Sequence, residues 1–206
     1  MTMWNGAVVG RLRLLLEETP NERFNVTQSY ALFTSILCWV LQRIRVPEDD
    51  IVSQDDRNAH KLFRTLSEMP IKDDPWRMHV LPTPRIVSIG SHTMAVPASE
   101  NFEAYSAFQF MKALRDATAH GDARNVSPFN FDNFLVGFSF SCAEFKGKGK
   151  TRRKIWQGKV TLLESDMQRI GRELARMYCD TIRRSDPHNK DNSFGRDATS
   201  IQETAA

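Results

Sequence analysis

Apolar residues that recur every three or four positions are the feature that most constrains the fold of this chain. The spacing is typical of helices that are buried along one face. It covers a stretch that starts at Asn25, then residues 56–68 and 99–118, and a last stretch that opens at Ser165. Residues 8–18 have the composition of a further short helix. The sequence therefore predicts a mainly helical chain.

Two segments interrupt the predicted helices. Five prolines lie within residues 70–97, so we predict an irregular connection over 70–98 with at most a short strand at 85–89. A connection of this length is a functional lid, an insertion or a mobile segment. Residues 134–145 and 155–162 alternate in part between apolar and polar and enclose a basic, glycine-containing segment, which predicts a β-hairpin over about 134–162.

The end of the chain differs in composition from the rest. Residues 185–206 are polar and low in hydrophobic side chains, so they predict a disordered tail. The predicted fold class is mainly α: one helical domain over 1–184 with an inserted β-hairpin, followed by this tail.

Composition excludes several classes of protein. Of the 206 residues, 41% are hydrophobic, which suffices for a buried core. The longest apolar run has six residues, whereas a membrane span needs about 20. The first residues lack the pattern of a secretory signal, and Cys38, Cys142 and Cys179 include no Cys-x-x-Cys pair. No histidine pair stands at metal-ligand spacing. We therefore expect a cytoplasmic protein with reduced thiols, no membrane contact, no metal and no cofactor.

The positive charge of the chain is concentrated in the predicted hairpin. The net charge is +3, but the tail carries −2, which leaves +5 on residues 1–184. Residues 146–159 hold seven lysines and arginines and no acid. Such cations bind phosphates by releasing counterions, and an aromatic ring among them offers a face for base stacking. The alternative is a solvated hairpin tip whose charges prevent edge-to-edge strand pairing. The predicted RNA-binding residues of this segment are Lys146, Lys148, Lys150, Arg152, Arg153, Lys154, Trp156 and Lys159.

A second candidate site stands at the end of the predicted 99–118 helix. Residues 115–121 read RDATAHG. Asp116 directly follows Arg115, and three residues separate Asp116 from His120. The spacing from arginine to histidine recurs at Arg183, but there the next residue is Arg184. The aspartate that follows Arg115 therefore distinguishes this motif from the repeat of the arginine-to-histidine spacing at Arg183.

Residues 115–121 resemble the signature of the HEPN superfamily: an arginine, usually an Asn, Asp or His, three variable residues and a histidine, often followed by glycine. Residues 108–126 (FQFMKALRDATAHGDARNV) are similar to bacterial and plasmid-borne HEPN family nucleases. The resemblance covers about residues 25–184. It implies a HEPN-like helical bundle that commonly forms a homodimer and, in many members, cuts RNA without a metal. A role in toxin or defence biology, with an antitoxin or regulatory partner protein, is a further implication.

The chemistry of RNA cleavage suits these residue types. The 2′-hydroxyl of the substrate acts as the nucleophile once a proton acceptor takes its proton, and histidine, with a pKa of about 6.5, transfers protons near neutral pH. Arginine offers a fixed charge and a planar fork for phosphate oxygens. The predicted catalytic residues are Arg115 for phosphate binding, His120 as acid and base, and Asp116 to position them. Arg124 and Asn125 are further candidate phosphate contacts.

Helix geometry constrains this site. On a continuous helix, at about 100° per residue, Arg115 and His120 would point about 140° apart. Either the helix ends near Ala119, or two copies of the motif face each other across the two-fold axis of a homodimer.

The functional prediction is therefore a metal-independent endoribonuclease. The alternative is a non-catalytic HEPN module that binds nucleic acid, a nucleotide or a partner protein, and a third reading is a structural dimerisation domain. In these alternatives Arg115 and Asp116 form a surface ion pair, and His120 merely ends the helix.

Overall fold

The computed structural model describes residues 3–17, 25–79, 83–89, 91–119, 125–147 and 151–183. Its α-helices are α1 (Met3–Glu17), α2 (Asn25–Ile44), α3 (Gln54–Glu68), α4 (Ala107–Ala119) and α5 (Glu164–Arg183). Its strands are β1 (Arg85–Ile89), β2 (His92–Val96), β3 (Val126–Phe131), β4 (Phe134–Lys146) and β5 (Arg153–Leu163).

The predicted fold class is wrong. The described residues form a mixed α/β fold, with five α-helices and two antiparallel sheets, rather than a mainly helical HEPN-like bundle. One sheet consists of β1 and β2, and the other has the order β3-β4-β5. Strands β4 and β5 have 13 and 11 residues. The hairpin predicted over about 134–162 is thus the larger part of a three-stranded sheet and not an insertion into a bundle.

The sequence pattern did not predict strand β3. It contains Pro128, and proline removes a hydrogen-bond donor from a sheet, which argues against a strand. In the structure β3 pairs only with β4 and forms an edge of the sheet, where a proline is tolerated. The turn to β4 consists of Asp132 and Asn133, both at positive φ, 47° and 68°, as the favoured two-residue hairpin turn requires.

Helix α4 begins later than the apolar spacing predicts. The Ser106 hydroxyl accepts a hydrogen bond from the backbone N–H of Gln109 at 3.3 Å, and the side-chain oxygen of Gln109 accepts one from the N–H of Ser106 at 3.0 Å. This reciprocal capping box sets the start of the helix. Phe102 precedes the helix and is nevertheless fully buried, so it belongs to the core but not to α4.

The helices pack against one another, and two of them also pack on the three-stranded sheet. Helix α5 contacts α1, α2 and α3, while α2 and α4 pack against β4. The ring of Tyr30 on α2 stacks on Phe138 of β4, with 4.2 Å between ring centroids. Phe33, Phe110, Leu114 and Leu174 from three of the helices are completely buried or nearly so. This packing brings the C-terminal half of α4 beside the strand that leads into the basic hairpin.

The 70–98 connection contains more regular structure than predicted. Strands β1 and β2 pair from Arg85↔Val96 to Ile89↔His92. Arg169 on α5 donates hydrogen bonds to the carbonyl oxygens of Pro75 and Trp76, and Trp76 is only 1% exposed. The described part of this connection is therefore attached to the start of α5.

The predicted tail, 185–206, lies outside the described residues. Within the described ranges, no helix combines the length and the apolar character needed to cross a membrane. Cys38 is exposed, and Cys142 and Cys179 are buried.

Candidate nucleic-acid groove

The C-terminal half of α4 carries a charged cluster of Lys112, Arg115 and Asp116. Nη2 of Arg115 lies 2.7 Å from Oδ1 of Asp116, and Nζ of Lys112 donates to Oδ2 of the same carboxylate at 2.9 Å. Each of the three side chains is about one third exposed. Asp116 thus holds one cation on each oxygen, and the cluster retains one net positive charge.

The sequence of α4 places this cluster on the flank of the helix that borders β4. Phe110, Met111 and Leu114 form the buried side of the helix. Lysine and aspartate four residues apart are neighbours on a helix surface. Burial, and next the negative charge of Asp116, raise the pKa of the Cys142 thiol on β4 to about 12. The carboxylate is therefore close enough to β4 to affect its side chains.

A groove of about 700 Å³ lies between this flank of α4 and the basic hairpin. We call it the α4–hairpin groove. Its lining residues are Lys112, Asp116 and Ala117 of α4, then Asn125, and Ser141, Ala143, Glu144, Phe145, Gly147, Arg152 and Lys154 of the hairpin. The two candidate sites that the sequence indicates separately therefore share one surface.

The hairpin tip has a defined backbone geometry. Lys146 pairs with Arg153 at the end of the β4–β5 ladder. Gly147 follows at φ 93°, and a Cβ there would lie 2.4 Å from the carbonyl oxygen of Thr151. A side chain at position 147 would therefore distort the turn, so glycine is required.

An aromatic side chain and two cations lie together just below this turn. Phe145 pairs across the strands with Lys154, and the guanidinium carbon of Arg152 lies 4.2 Å from the centroid of the Phe145 ring. This distance is that of a cation–π contact. Phe145 remains 47% exposed, so a large part of its side chain faces solvent.

The groove contains carboxylates as well as cations. Glu144 lines it and accepts a hydrogen bond from the Tyr105 hydroxyl at 3.4 Å. Burial, followed by the charge of Glu144, raises the pKa of the Tyr105 phenol. Tyr105 is therefore a protonated donor that holds Glu144 in place. The described lining thus sets three cations against two carboxylates, one of which is already paired with cations of α4.

The predicted RNA-binding residues do not all lie at the groove. Arg152 and Lys154 line it, and the exposed Lys146 and Arg153 lie at the tip. Lys159 is exposed farther along β5, where its backbone pairs with Glu100. Lys148, Lys150 and Arg124 lie outside the described residues.

The predicted stacking residue Trp156 has neighbours on its ring. It stacks on Tyr105, with 4.7 Å between centroids and 25° between the ring planes, and meets Phe102 edge-on at 5.2 Å. Its indole N–H donates to the carbonyl oxygen of Asn101 at 3.2 Å. The Trp156 ring is therefore part of the packing next to α4 and does not line the groove.

The predicted catalytic residues are brought together in part. Arg115 and Asp116 are in contact, whereas His120 lies outside the described residues. Helix α4 is described up to Ala119, the last residue before the undescribed segment 120–124. The groove includes one residue on each side of the undescribed segment 120–124. Ala117 comes three residues before His120, and Asn125 comes five residues after it.

Lys112 and Phe145 are among the groove residues that the sequence analysis did not predict as part of a site. Lys112 could have been found from its position four residues before Asp116, which is a common spacing for helical ion pairs. Phe145 was assigned only to the alternating pattern of the strand. Its distinguishing feature, an aromatic ring between cations, depends on the cross-strand register, which places Lys154 opposite it.

Comparisons with protein-family models, with curated proteins and with solved structures found no match. In the part of the chain that the structure describes, no three His, Cys, Asp or Glu side chains are grouped so that they could hold a metal ion. The residues of the α4–hairpin groove therefore provide the evidence on the function of this protein.

Proposed function

We propose that this protein is a metal-independent endoribonuclease that binds RNA in the α4–hairpin groove and cleaves it beside Arg115 and Asp116. The proposal rests on one observation above all: Asp116 lines the same groove as the cations of the basic hairpin, and Arg115, which is not itself a lining residue, is held beside the groove by its ion pair with Asp116. Cations alone would make a binding surface, and the motif alone would have no means of holding a substrate. One surface with both features suits binding followed by cleavage.

The cations of the groove are arranged to hold a nucleic-acid backbone from two sides. Lys112 stands on the α4 wall, and Arg152 and Lys154 stand on the hairpin wall. Charge-assisted contacts to phosphate from both walls would fix the strand between them. Asp116 does not oppose this, because two cations already balance its charge.

Arg115 is suited to stabilise the phosphate that reacts. Asp116 holds the guanidinium through the 2.7 Å contact, so that less orientational freedom is lost when the remaining donors bind phosphate oxygens. The Nε atom of Arg115 is buried and has no hydrogen-bond partner among the described residues. An unpaired buried donor is costly, and a catalytic role is one of the reasons for which native proteins retain one.

In the proposed reaction the 2′-oxygen attacks the neighbouring phosphorus and the bond from phosphorus to the 5′-oxygen breaks. His120 takes the proton of the 2′-hydroxyl, and a protonated histidine returns one to the departing 5′-oxygen. The products are a 2′,3′-cyclic phosphate and a 5′-hydroxyl, so no water, metal or cofactor is consumed in this step.

This chemistry calls for two histidines, and a homodimer supplies both. A two-fold axis would place the His120 of each copy at the same interface. We expect light scattering of the purified protein to give twice the 23.6 kDa of one chain. Cleavage by a preparation that has the mass of a single chain would contradict the dimeric site.

The decisive assay is RNA cleavage in EDTA. Purified protein is expected to convert a single-stranded RNA into fragments that end in 2′,3′-cyclic phosphate, and the DNA of the same sequence, which lacks the 2′-hydroxyl, is expected to remain intact. Omitting EDTA and adding magnesium should leave the rate unchanged. Cleavage that requires a divalent cation, or that proceeds equally on DNA, would refute the proposed reaction.

A second candidate is a non-catalytic RNA-binding module. It is favoured by the engagement of both Lys112 and Arg115 with Asp116, an arrangement that is complete without a substrate. This function predicts RNA binding that weakens with salt, without any product in the EDTA assay. The same preparation therefore distinguishes the two functions.

A further inference from the structure

We propose that Phe145 and Arg152 form a subsite that holds one unpaired RNA base at the mouth of the α4–hairpin groove. The inference rests on the proposed function, because it assumes that RNA occupies the groove. It adds that the ligand is single-stranded and that recognition includes a base as well as the phosphates.

Phe145 is the exposed aromatic side chain among the residues that line the groove. It is 47% exposed although it lies on a long strand, and it lines a groove that also contains charged residues. The guanidinium of Arg152 lies 4.2 Å from the centroid of its ring. A ring and a guanidinium plane at this separation leave part of the aromatic surface open, and both are surfaces on which nucleobases stack.

The surrounding charges favour a strand over a free base. Lys154 lies directly across the ladder from Phe145, and Lys112 stands on the opposite wall. A base stacked on Phe145 would therefore have cations available for the phosphates on either side of it. Trp156 cannot serve in the same way because its ring is already stacked on Tyr105.

A duplex would gain nothing from this subsite. The faces of paired bases are covered by their neighbours in the stack, and double-stranded RNA is bound mainly through its shape and backbone. Only an unstacked base can contact Phe145. The structure therefore predicts that loss of the ring weakens the binding of single strands and leaves the binding of duplexes unchanged.

The test measures binding to a short fluorescent 2′-O-methyl RNA, which cannot be cleaved because its 2′-oxygen is blocked. Phe145→Ala is expected to weaken binding of the single strand by about 5- to 160-fold, the range for removal of one stacked base. Phe145→Tyr should keep wild-type affinity, and Phe145→Leu should show most of the loss because it keeps bulk without an aromatic plane. Circular dichroism checks that each variant is folded.

Phe134→Ala is the matched control. Phe134 lies on the same strand and is 74% exposed, but it stands at the turn from β3 and does not line the groove. Its removal should leave affinity unchanged. Equal losses for the two alanine variants would overturn the subsite, as would an equal loss for single strand and duplex in Phe145→Ala.

The outcomes for the subsite and for the proposed function are separable. If Lys154→Ala weakens binding and Phe145→Ala does not, the groove binds RNA and the subsite is refuted. If the wild-type protein binds no RNA, both proposals fail. If binding behaves as expected but the EDTA assay gives no product, the subsite stands and the nuclease activity is refuted.

Discussion

Replacing His120 by alanine is expected to lower the rate of RNA cleavage in EDTA by at least about 100-fold. A positioned acid–base residue contributes about 100- to 10,000-fold to a proton transfer, and the proposed reaction requires one on each side of the phosphate. RNA affinity should change little, because the described cations of the groove remain. The measurement is the single-turnover cleavage rate at saturating protein, with affinity determined separately on the 2′-O-methyl strand.

The sequence contains a matched control for this variant. Arg183 and His188 repeat the arginine-to-histidine spacing, with Arg184 in the position that corresponds to Asp116. His188→Ala should therefore cleave at the wild-type rate. A His120→Ala protein that cleaves as fast as the His188→Ala protein would remove His120 from the mechanism.

Arg115 gives an independent test of the same site. Arg115→Lys keeps the positive charge but loses the planar fork that binds two phosphate oxygens at once. We expect slower cleavage with near-normal affinity, since Lys112 still contacts Asp116 at 2.9 Å. If affinity fell and the rate at saturation did not, Arg115 would belong to general backbone binding and not to the reacting phosphate.

Replacing Asp166 by alanine is expected to have the largest effect on stability, about 3 kcal/mol in the free energy of unfolding. Asp166 is 4% exposed and accepts hydrogen bonds from Arg85 at 3.0 Å and from Arg169 at 3.3 Å. It also accepts one from the backbone N–H of Leu163 at the start of α5, at 3.1 Å. Loss of one partner from a buried ion pair costs about 3–5 kcal/mol. The lower end applies because both arginines are about one third exposed and water can solvate them.

Urea unfolding provides the measurement for Asp166→Ala. The midpoint should fall with an unchanged slope, and the midpoint of thermal unfolding should fall by about 6–12 °C for a chain of this size. Asp180→Ala is the control on the same helix, because Asp180 is 42% exposed and its 3.1 Å contact with Arg176 is a surface pair, worth about 0–1 kcal/mol. Similar losses for the two variants would show that Asp166 does not fasten the 70–98 connection to α5.

Local sequence patterns were sufficient to locate most helices. The start of α2 at Asn25 and the end of α3 at Glu68 follow from apolar spacing and from the residues that cap helices. Helix α3 begins two residues earlier than predicted, at Gln54, because Ser53 is its N-cap. The predicted start of the fourth helix was wrong because Phe102, which is buried, and Tyr105, which is partly buried, continue the helical spacing outside the helix. Only the capping box of Ser106 and Gln109 marks the true boundary.

The fold class was wrong because it depends on which strands pair. No strand was predicted over β3, which contains Pro128, and the edge position that makes a proline acceptable in a strand exists only once β3 lies beside β4. The 70–98 connection was misread for the same reason. Its attachment involves Arg85 and Asp166, which are far apart in the chain and have no common local pattern.

Some features of the candidate site follow from the sequence, and others follow only from the tertiary structure. The sequence by itself determined the residue types, the motif that starts at Arg115, and the density of cations in 146–159, because composition and spacing are properties of the chain. Only the tertiary structure decided that the α4 flank and the hairpin share one groove, and that Phe145 lies there while Trp156 is packed against Tyr105. Packing of α4 on β4 and the register of β4 with β5 produce these juxtapositions, and both arise from contacts between distant parts of the chain.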